Sequence, residues 1–246
     1  MKILYYRYIL TYCLLITSGY CYAQTNLADS TSEQLASAAA ITNFNKKIGD
    51  QSRLYNGAEY IFYDAVIKGN PYYNDTATFE PGSVIYDGIN YSGVSLLYDL
   101  NKDCVITLLP NKFTMIKLIT ERVRSFDISG HHFIYLDKEK SGKLAPGFYN
   151  QVYNGGVELL VKNKKLLQKT SGLSGTIEYF FSESKEIYLK KGGVYTSANS
   201  KGAMLNILKD KSKELKQYIG TNNINFDDNK EQAMVKVAAY YDQLTK

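Results

Sequence analysis

The sequence predicts an α+β fold: a mostly antiparallel, curled β-sheet with two C-terminal helices packed on it. Three observations lead there. From Ser83 to Lys191 the chain is a series of runs rich in Val, Ile, Leu, Tyr and Phe, each stopping at Gly, Asn, Asp or Ser, which is the pattern of strands joined by tight turns. No helical segments alternate with these runs, so a doubly wound parallel sheet is not expected. Beyond Ser200 the apolar period changes to that of amphipathic helices.

The chain opens with Lys2 and Arg7, then the apolar run Tyr8–Ile16, then Cys21-Tyr22-Ala23 before Gln24. That order of charge, apolar core and small residues is a secretory signal peptide over 1–23. The run is shorter than the ~20 residues a membrane span needs, and no second apolar span follows. No integral membrane span is therefore expected after cleavage. Cys13 and Cys21 belong to the leader, leaving Cys104 with no partner for an internal disulfide. Residues 24–50 read as a polar N-terminal arm, with Ala36, Ala40, Phe44 and Ile48 at helical spacing. Residues 51–246 read as a single α+β domain.

Within that domain the sheet is expected over about 54–196. Ala58–Val66 reads as a first strand and Asn70–Gly82 as a loop. Asp87-Gly88 marks a hairpin. Val94, Leu96, Tyr98 and Leu100 share one strand face, and Asn101–Asp103 turns the chain into a strand on which Cys104, Ile106 and Leu108 share a face. Phe113–Ile128 is one long bent strand or two short ones. Asn154-Gly155-Gly156 joins two further strands. Asn163-Lys164 and Ser182–Lys185 read as turns, and Gly192-Gly193 precedes a last strand. The helices are expected over about 201–219 and 229–244. Leu205, Leu208, Leu215 and Ile219 stripe the first, with Ser200 as its cap and Gly220 past its end. Met234, Val237, Ala238, Tyr241 and Leu244 stripe the second, with Asp228 and Glu231 as a capping box.

Composition excludes more than it assigns. The chain has 23 Tyr and no Trp, and its net charge of +5 falls to +3 once Lys2 and Arg7 leave with the leader. That bias is too weak to indicate a nucleic-acid partner. His131 and His132 are adjacent on a strand and so face opposite sides, which leaves no metal site. No catalytic elbow is present, and Gly155-Gly156 and Gly192-Gly193 lack the lysine of a phosphate cradle, so no cofactor is expected. Asp64, Asp87, Asp99, Asp103 and Asp127 sit at turns and strand ends. Lys162, Lys164, Lys165 and Lys169 read as a solvated strand edge. Tyr149, Tyr153, Tyr179 and Phe181 are the candidate lining for an apolar ligand, set against plain core packing.

The segments GFYNQVYNGGVELLVKNKKLL and EIYLKKGGVYTSANSKGAMLNILKDKSKELKQYI, with a last helix ending YYDQL, resemble uncharacterised secreted β-rich proteins of Gram-negative bacteria. The resemblance covers roughly the second half of the chain. It implies an exported β-rich protein with a helical tail and carries no activity or site residues. Together these readings give an exported non-enzymatic protein, periplasmic or extracellular, acting as a binding or structural module with an envelope component or lipid as partner. One alternative is a carrier of an apolar ligand such as a lipid inside the curl. Another is a hydrolase with a dispersed carboxylate site. N-terminal sequencing of the exported protein should begin at Gln24; an intact Met1 contradicts the leader.

Overall fold

The computed structural model describes residues 36–37, 39–40, 43, 52–171 and 175–246. The predicted leader, and its cleavage point, lie outside the described residues. Of the arm, Ala36, Ser37, Ala39, Ala40 and Asn43 are helical. Two compact units are distinguished, Met1–Lys47 and Ile48–Lys246. The second holds the sheet and the C-terminal helices.

Eleven strands form one open sheet: β1 (Ala58–Glu59), β2 (Glu80–Tyr86), β3 (Ile89–Asp99), β4 (Cys104–Leu108), β5 (Met115–Lys117), β6 (Val123–Ile128), β7 (His131–Leu136), β8 (Gly147–Asn154), β9 (Glu158–Ser171), β10 (Ile177–Lys191) and β11 (Val194–Ser197). Their spatial order is β1-β5-β4-β3-β2-β6-β7-β8-β9-β10-β11, and all the pairings between these strands are antiparallel. Three helices follow: α1 (Lys201–Ile207), α2 (Ser212–Thr221) and α3 (Lys230–Thr245). No described helix is long and apolar enough to cross a membrane.

The sheet curls. β3 and β8 are four places apart in strand order, about 19 Å if the sheet were flat. Yet the rings of Tyr98 and Phe148 are 5.9 Å apart, and Phe126 and Phe133 stack between them at 4.7 Å. The concave face is thus filled by aromatic side chains, joined by Val84, Tyr86, Leu96, Val105 and Val123. Polar contacts hold the curl shut. Lys162 Nζ on β9 donates to Asp103 Oδ2 (2.6 Å) in the β3–β4 turn and to the Phe148 carbonyl (2.9 Å). Asp103 Oδ1 accepts from Tyr98 (2.6 Å). Asn101 Nδ2 donates to the Lys165 carbonyl (2.7 Å).

The helices cover the same face at the other end of the sheet. Leu159, Val161, Ile187 and Leu189 pack against Met204, Leu208, Leu215, Ile219, Met234, Val237 and Tyr241. The predicted first helix is broken: Leu208 leaves helical geometry (φ −96°, ψ 32°) and a 3-10 turn over Lys209–Lys211 separates α1 from α2. That charged turn offers no apolar anchor, and its Asp210 is drawn to Lys191 and to the Tyr241 hydroxyl. Ser200 caps α1 as expected, but α3 is capped by Asn229 rather than Asp228, through Gln232 N, and α2 runs past Gly220 to Thr221.

Two predicted turns do not exist. β9 and β10 pair without interruption from Glu158–Lys190 to Ser171–Ile177, passing straight through Asn163-Lys164 and Ser182–Lys185. The lysines of β9 are not at an edge either, since β9 lies between β8 and β10, and of the four only Lys169 is exposed. Lys162 and Lys165 are buried and ion-paired, to Asp103 and Asp75, and Lys164 pairs with Glu186. The first predicted strand shrinks to Ala58–Glu59, because Tyr60, Tyr63, Tyr72 and Phe79 leave the sheet to cover the outer face of β3 and β4 over Leu97, Cys104 and Ile106. Cys104 is buried there, and burial pushes its thiol up to about 12.

α3 is anchored from a distance in sequence. Asp242, 6 % exposed, accepts from Gly156 N (2.6 Å), Val157 N (3.1 Å) and the Tyr153 hydroxyl (2.8 Å). A Cβ on Gly155 would fall 2.2 Å from Asp242 Oδ2, so the hairpin needs glycine there for close approach and not for a turn angle. Asp242→Ala should cost about 3 kcal/mol, because it strips a charged acceptor from two backbone donors, and lower the melting temperature by roughly 6–12 °C. Asp228→Ala, on the exposed surface, should stay within about 0.5 kcal/mol. Equal melting of the two variants would contradict this anchor.

Candidate functional site

The aromatic core and the helix-covered core share one face of the sheet but do not merge. Along β9 that face carries Leu159 and Val161, then Asn163 and Lys165; along β10 it carries Leu189 and Ile187, then Lys185. The Asn163–Lys185 cross-strand pair therefore follows directly on the apolar Val161–Ile187 pair. At this changeover lies a cleft of about 510 Å³. Tyr73, Asn74 and His131 line it from the aromatic side, Asn163, Lys185 and Ile187 from the sheet. Asn199, Asp228, Asn229, Lys230 and Glu231 line it from the helical side. A second hollow of about 380 Å³ adjoins it, sharing His131, Asn229 and Glu231 and adding Asn150, Gln151 and Gln232.

Each lining group is placed by its neighbours. His131 follows the turn at Ser129-Gly130, where both residues have positive φ (54° and 74°). Its Nδ1 lies 3.1 Å from Asn150 Nδ2. With the amide donating, Nδ1 accepts and the proton sits on Nε2. Tyr73 meets His131 and Phe133 edge-on, at 5.6 and 5.1 Å. Burial, then the nearby Glu231 and Glu183 carboxylates, push its hydroxyl up to about 12, so it remains a donor. Asn74 sits at φ 56°, a left-handed geometry that asparagine tolerates. Lys185 and Glu231 pair at 3.3 Å.

Asn163 stands out. It is 6 % exposed, yet among the described residues its side-chain amide has no hydrogen-bond partner. No fully enclosed side-chain polar atom is left unpaired among them, so the Asn163 amide is open to the cleft that it lines.

The apolar-ligand candidates do not gather. Tyr149 packs with Leu136, Leu160 and Tyr195 on the convex face and donates to the Ala145 carbonyl (2.7 Å). Tyr153 lies on the opposite face, bonded to Asp242, because a bulge between Gln151 and Tyr153 reverses the alternation that would have put both tyrosines on one face. Tyr179 is exposed, and Phe181 meets Tyr63 edge-on.

Among the described residues serine, histidine and aspartate meet at Ser83, His132 and Asp127, but in the wrong order for nucleophilic catalysis. Ser83 Oγ donates to Asp127 Oδ2 (2.6 Å), and His132 Nδ1 lies 2.7 Å from Asp127 Oδ1. The carboxylate stands in the middle, where a triad has the histidine. The buried Asp99 accepts from the hydroxyls of Tyr60 (2.8 Å) and Tyr63 (3.0 Å) and from two backbone amides of its own turn. It is spent on holding that turn. No grouping of metal-ligating side chains occurs among the described residues.

Compared with known proteins, the chain matches no family model, no curated protein and no solved structure.

Proposed function

We propose that this is an exported, non-enzymatic binding module that holds a small polar ligand in the cleft between its two cores. The observation that carries the reading is the Asn163 amide, buried, unpartnered among the described residues and open to the cleft. An amide that faces a cleft and spends no donor or acceptor on the described protein is placed to hydrogen-bond a ligand there. The volume of about 510 Å³ falls within the range of small-molecule sites. Export rests on the leader over 1–23 and on the resemblance to secreted β-rich proteins of Gram-negative bacteria. The periplasm or the cell exterior is the compartment that follows.

The apolar-carrier reading is weaker on two counts. The interior of the curl is taken up by Tyr98, Phe126, Phe133 and Phe148 in mutual contact, and the candidate residues fall in three places: Tyr149 on the convex face, Tyr153 opposite it, and Tyr179 with Phe181 on β10. The hydrolase reading needs free, convergent carboxylates. In the cleft Glu231 is paired with Lys185 and Asp228 accepts from Asn225 (2.8 Å).

Thermal-shift measurements with one library of small polar compounds and another of fatty acids and phospholipids test this. A polar ligand at about 100 times its dissociation constant should stabilise the protein by about 2.7 kcal/mol. Asn163→Leu should abolish that shift while melting within about 2–4 °C of the parent, since the amide faces the cleft and makes no bond within the described protein. Stabilisation by fatty acids that survives Asn163→Leu, or no response to any polar compound, would overturn the reading.

A further inference from the structure

We infer that the ligand of this cleft is a neutral saccharide of about two rings, an inference that rests on the proposed binding function. Charge is the first consideration. The lining carries Lys185 and Lys230 against Asp228 and Glu231, so no sign of charge is in excess. Lys185 and Glu231 are moreover joined to each other at 3.3 Å. An anion would want an unopposed cation, and an amino acid or peptide terminus would want the two charges held apart, one for each end of the ligand.

What the cleft offers instead is neutral hydrogen bonding of mixed polarity. The Asn163 amide presents two donors and an acceptor, none used within the described protein. Asn229 uses its side-chain oxygen on Gln232 N, which leaves its Nδ2 group free to donate. Tyr73 has a hydroxyl that forms no hydrogen bond with the described residues and, as a phenol, is protonated at neutral pH and able to donate. With Nδ1 facing Asn150, His131 keeps Nε2–H as a donor. Sugar hydroxyls donate and accept at once, so they complement amides and neutral rings without needing charge. The two aromatic side chains, Tyr73 and His131, supply the flat surfaces against which the C–H face of a pyranose packs. Size agrees: about 510 Å³ for the main cleft and about 380 Å³ for its neighbour, with His131 shared, suit two linked rings better than one. A lipid tail is excluded by the amide floor, since those groups would lose water and gain no partner.

The test is a titration of the isotope-labelled protein, followed by amide chemical shifts. One arm uses cellobiose, maltose and N,N′-diacetylchitobiose. A second uses glucuronate and glucosamine, and a third uses neutral and charged dipeptides. At least one neutral disaccharide should perturb the Asn163 and Asn229 side-chain amides in a saturable manner, with saturation transfer to its ring protons. Because no net charge is engaged, its affinity should change less than twofold between about 0.05 and about 0.5 M salt. Asn163→Leu should weaken it at least about tenfold, the loss of one or two hydrogen bonds. Lys185→Gln, at a half-exposed position, should leave the affinity of the neutral disaccharide within about twofold, since the ligand does not use that charge; a loss of about tenfold or more would contradict a neutral ligand. Saturable binding at the cleft by charged sugars or dipeptides alone would overturn the saccharide inference and leave the binding function standing. Silence in all three arms would overturn both.

Discussion

Burial of the Lys162 ammonium against Asp103 is the constraint on which the rest of this structure depends. The lysine side chain is 5 % exposed, and loss of water holds its pKa below the usual lysine range despite the carboxylate beside it. Such burial is costly unless geometry offsets the cost. Here it does, because one ammonium joins three elements: the β3–β4 turn through Asp103, β8 through the Phe148 carbonyl, and its own strand β9. A hydrogen-bonded barrel would have closed the curl by pairing β3 with β9. The sheet is instead closed by side chains and by the Lys68–Tyr72 segment, whose backbone bonds β10 (Lys68 N to the Tyr179 carbonyl, 2.9 Å) and the end of β3 (Leu100 N to the Pro71 carbonyl, 2.9 Å), with a long contact of 3.5 Å from Lys165 N to the Leu100 carbonyl beside them. Gly147 follows from the same constraint, since a Cβ there would fall 2.2 Å from Asp103 Oδ2.

The curl sets the position of the cleft. It gathers the rings of β3, β6, β7 and β8 into one packed body, while α1 to α3 gather a second body over β9 and β10. The sheet face between them is neither aromatic nor aliphatic. Asn163 and Lys185 occupy it, and the N-terminal end of α3 forms its far wall. Stability and binding are thereby divided: the two cores carry the first, and the polar strip between them, which adds little to folding, is free for the second.

Much of the fold was legible in the chain because it is local. The hairpin at Asp87-Gly88 shows in two residues that both adopt positive φ (50° and 78°), and the stripes of α2 and α3 show in their spacing. Cys104 was legible as buried for the same reason. The long-range pieces were not. Asp242 acts on Gly156 and Val157, more than eighty positions away, so Gly155-Gly156 read as a simple turn. The bulge before Tyr153 leaves no mark in composition and moved a predicted site residue to the other face. Asn163 is the most telling case. An asparagine inside an apolar strand reads as a turn by propensity; here the strand runs through, and the residue that seemed to interrupt it is the floor of the cleft. An asparagine just past the mostly apolar run Val157–Val161 was the one mark of the site in the sequence, and its residue type points to a turn.

The most direct measurement is a double-mutant cycle on Asp103 and Lys162, read by equilibrium unfolding in urea. Asp103 has φ 50°, so Asp103→Asn keeps a residue that tolerates that geometry; Lys162→Met keeps the length of the side chain. If the ion pair closes the curl, Lys162→Met alone should cost about 3–5 kcal/mol. The double variant should cost clearly less than the sum of the singles, with a coupling of about 2 kcal/mol or more. Two single effects below about 1 kcal/mol that simply add would mean that the aromatic core curls the sheet unaided, and that the Lys162–Asp103 pair is not what closes it.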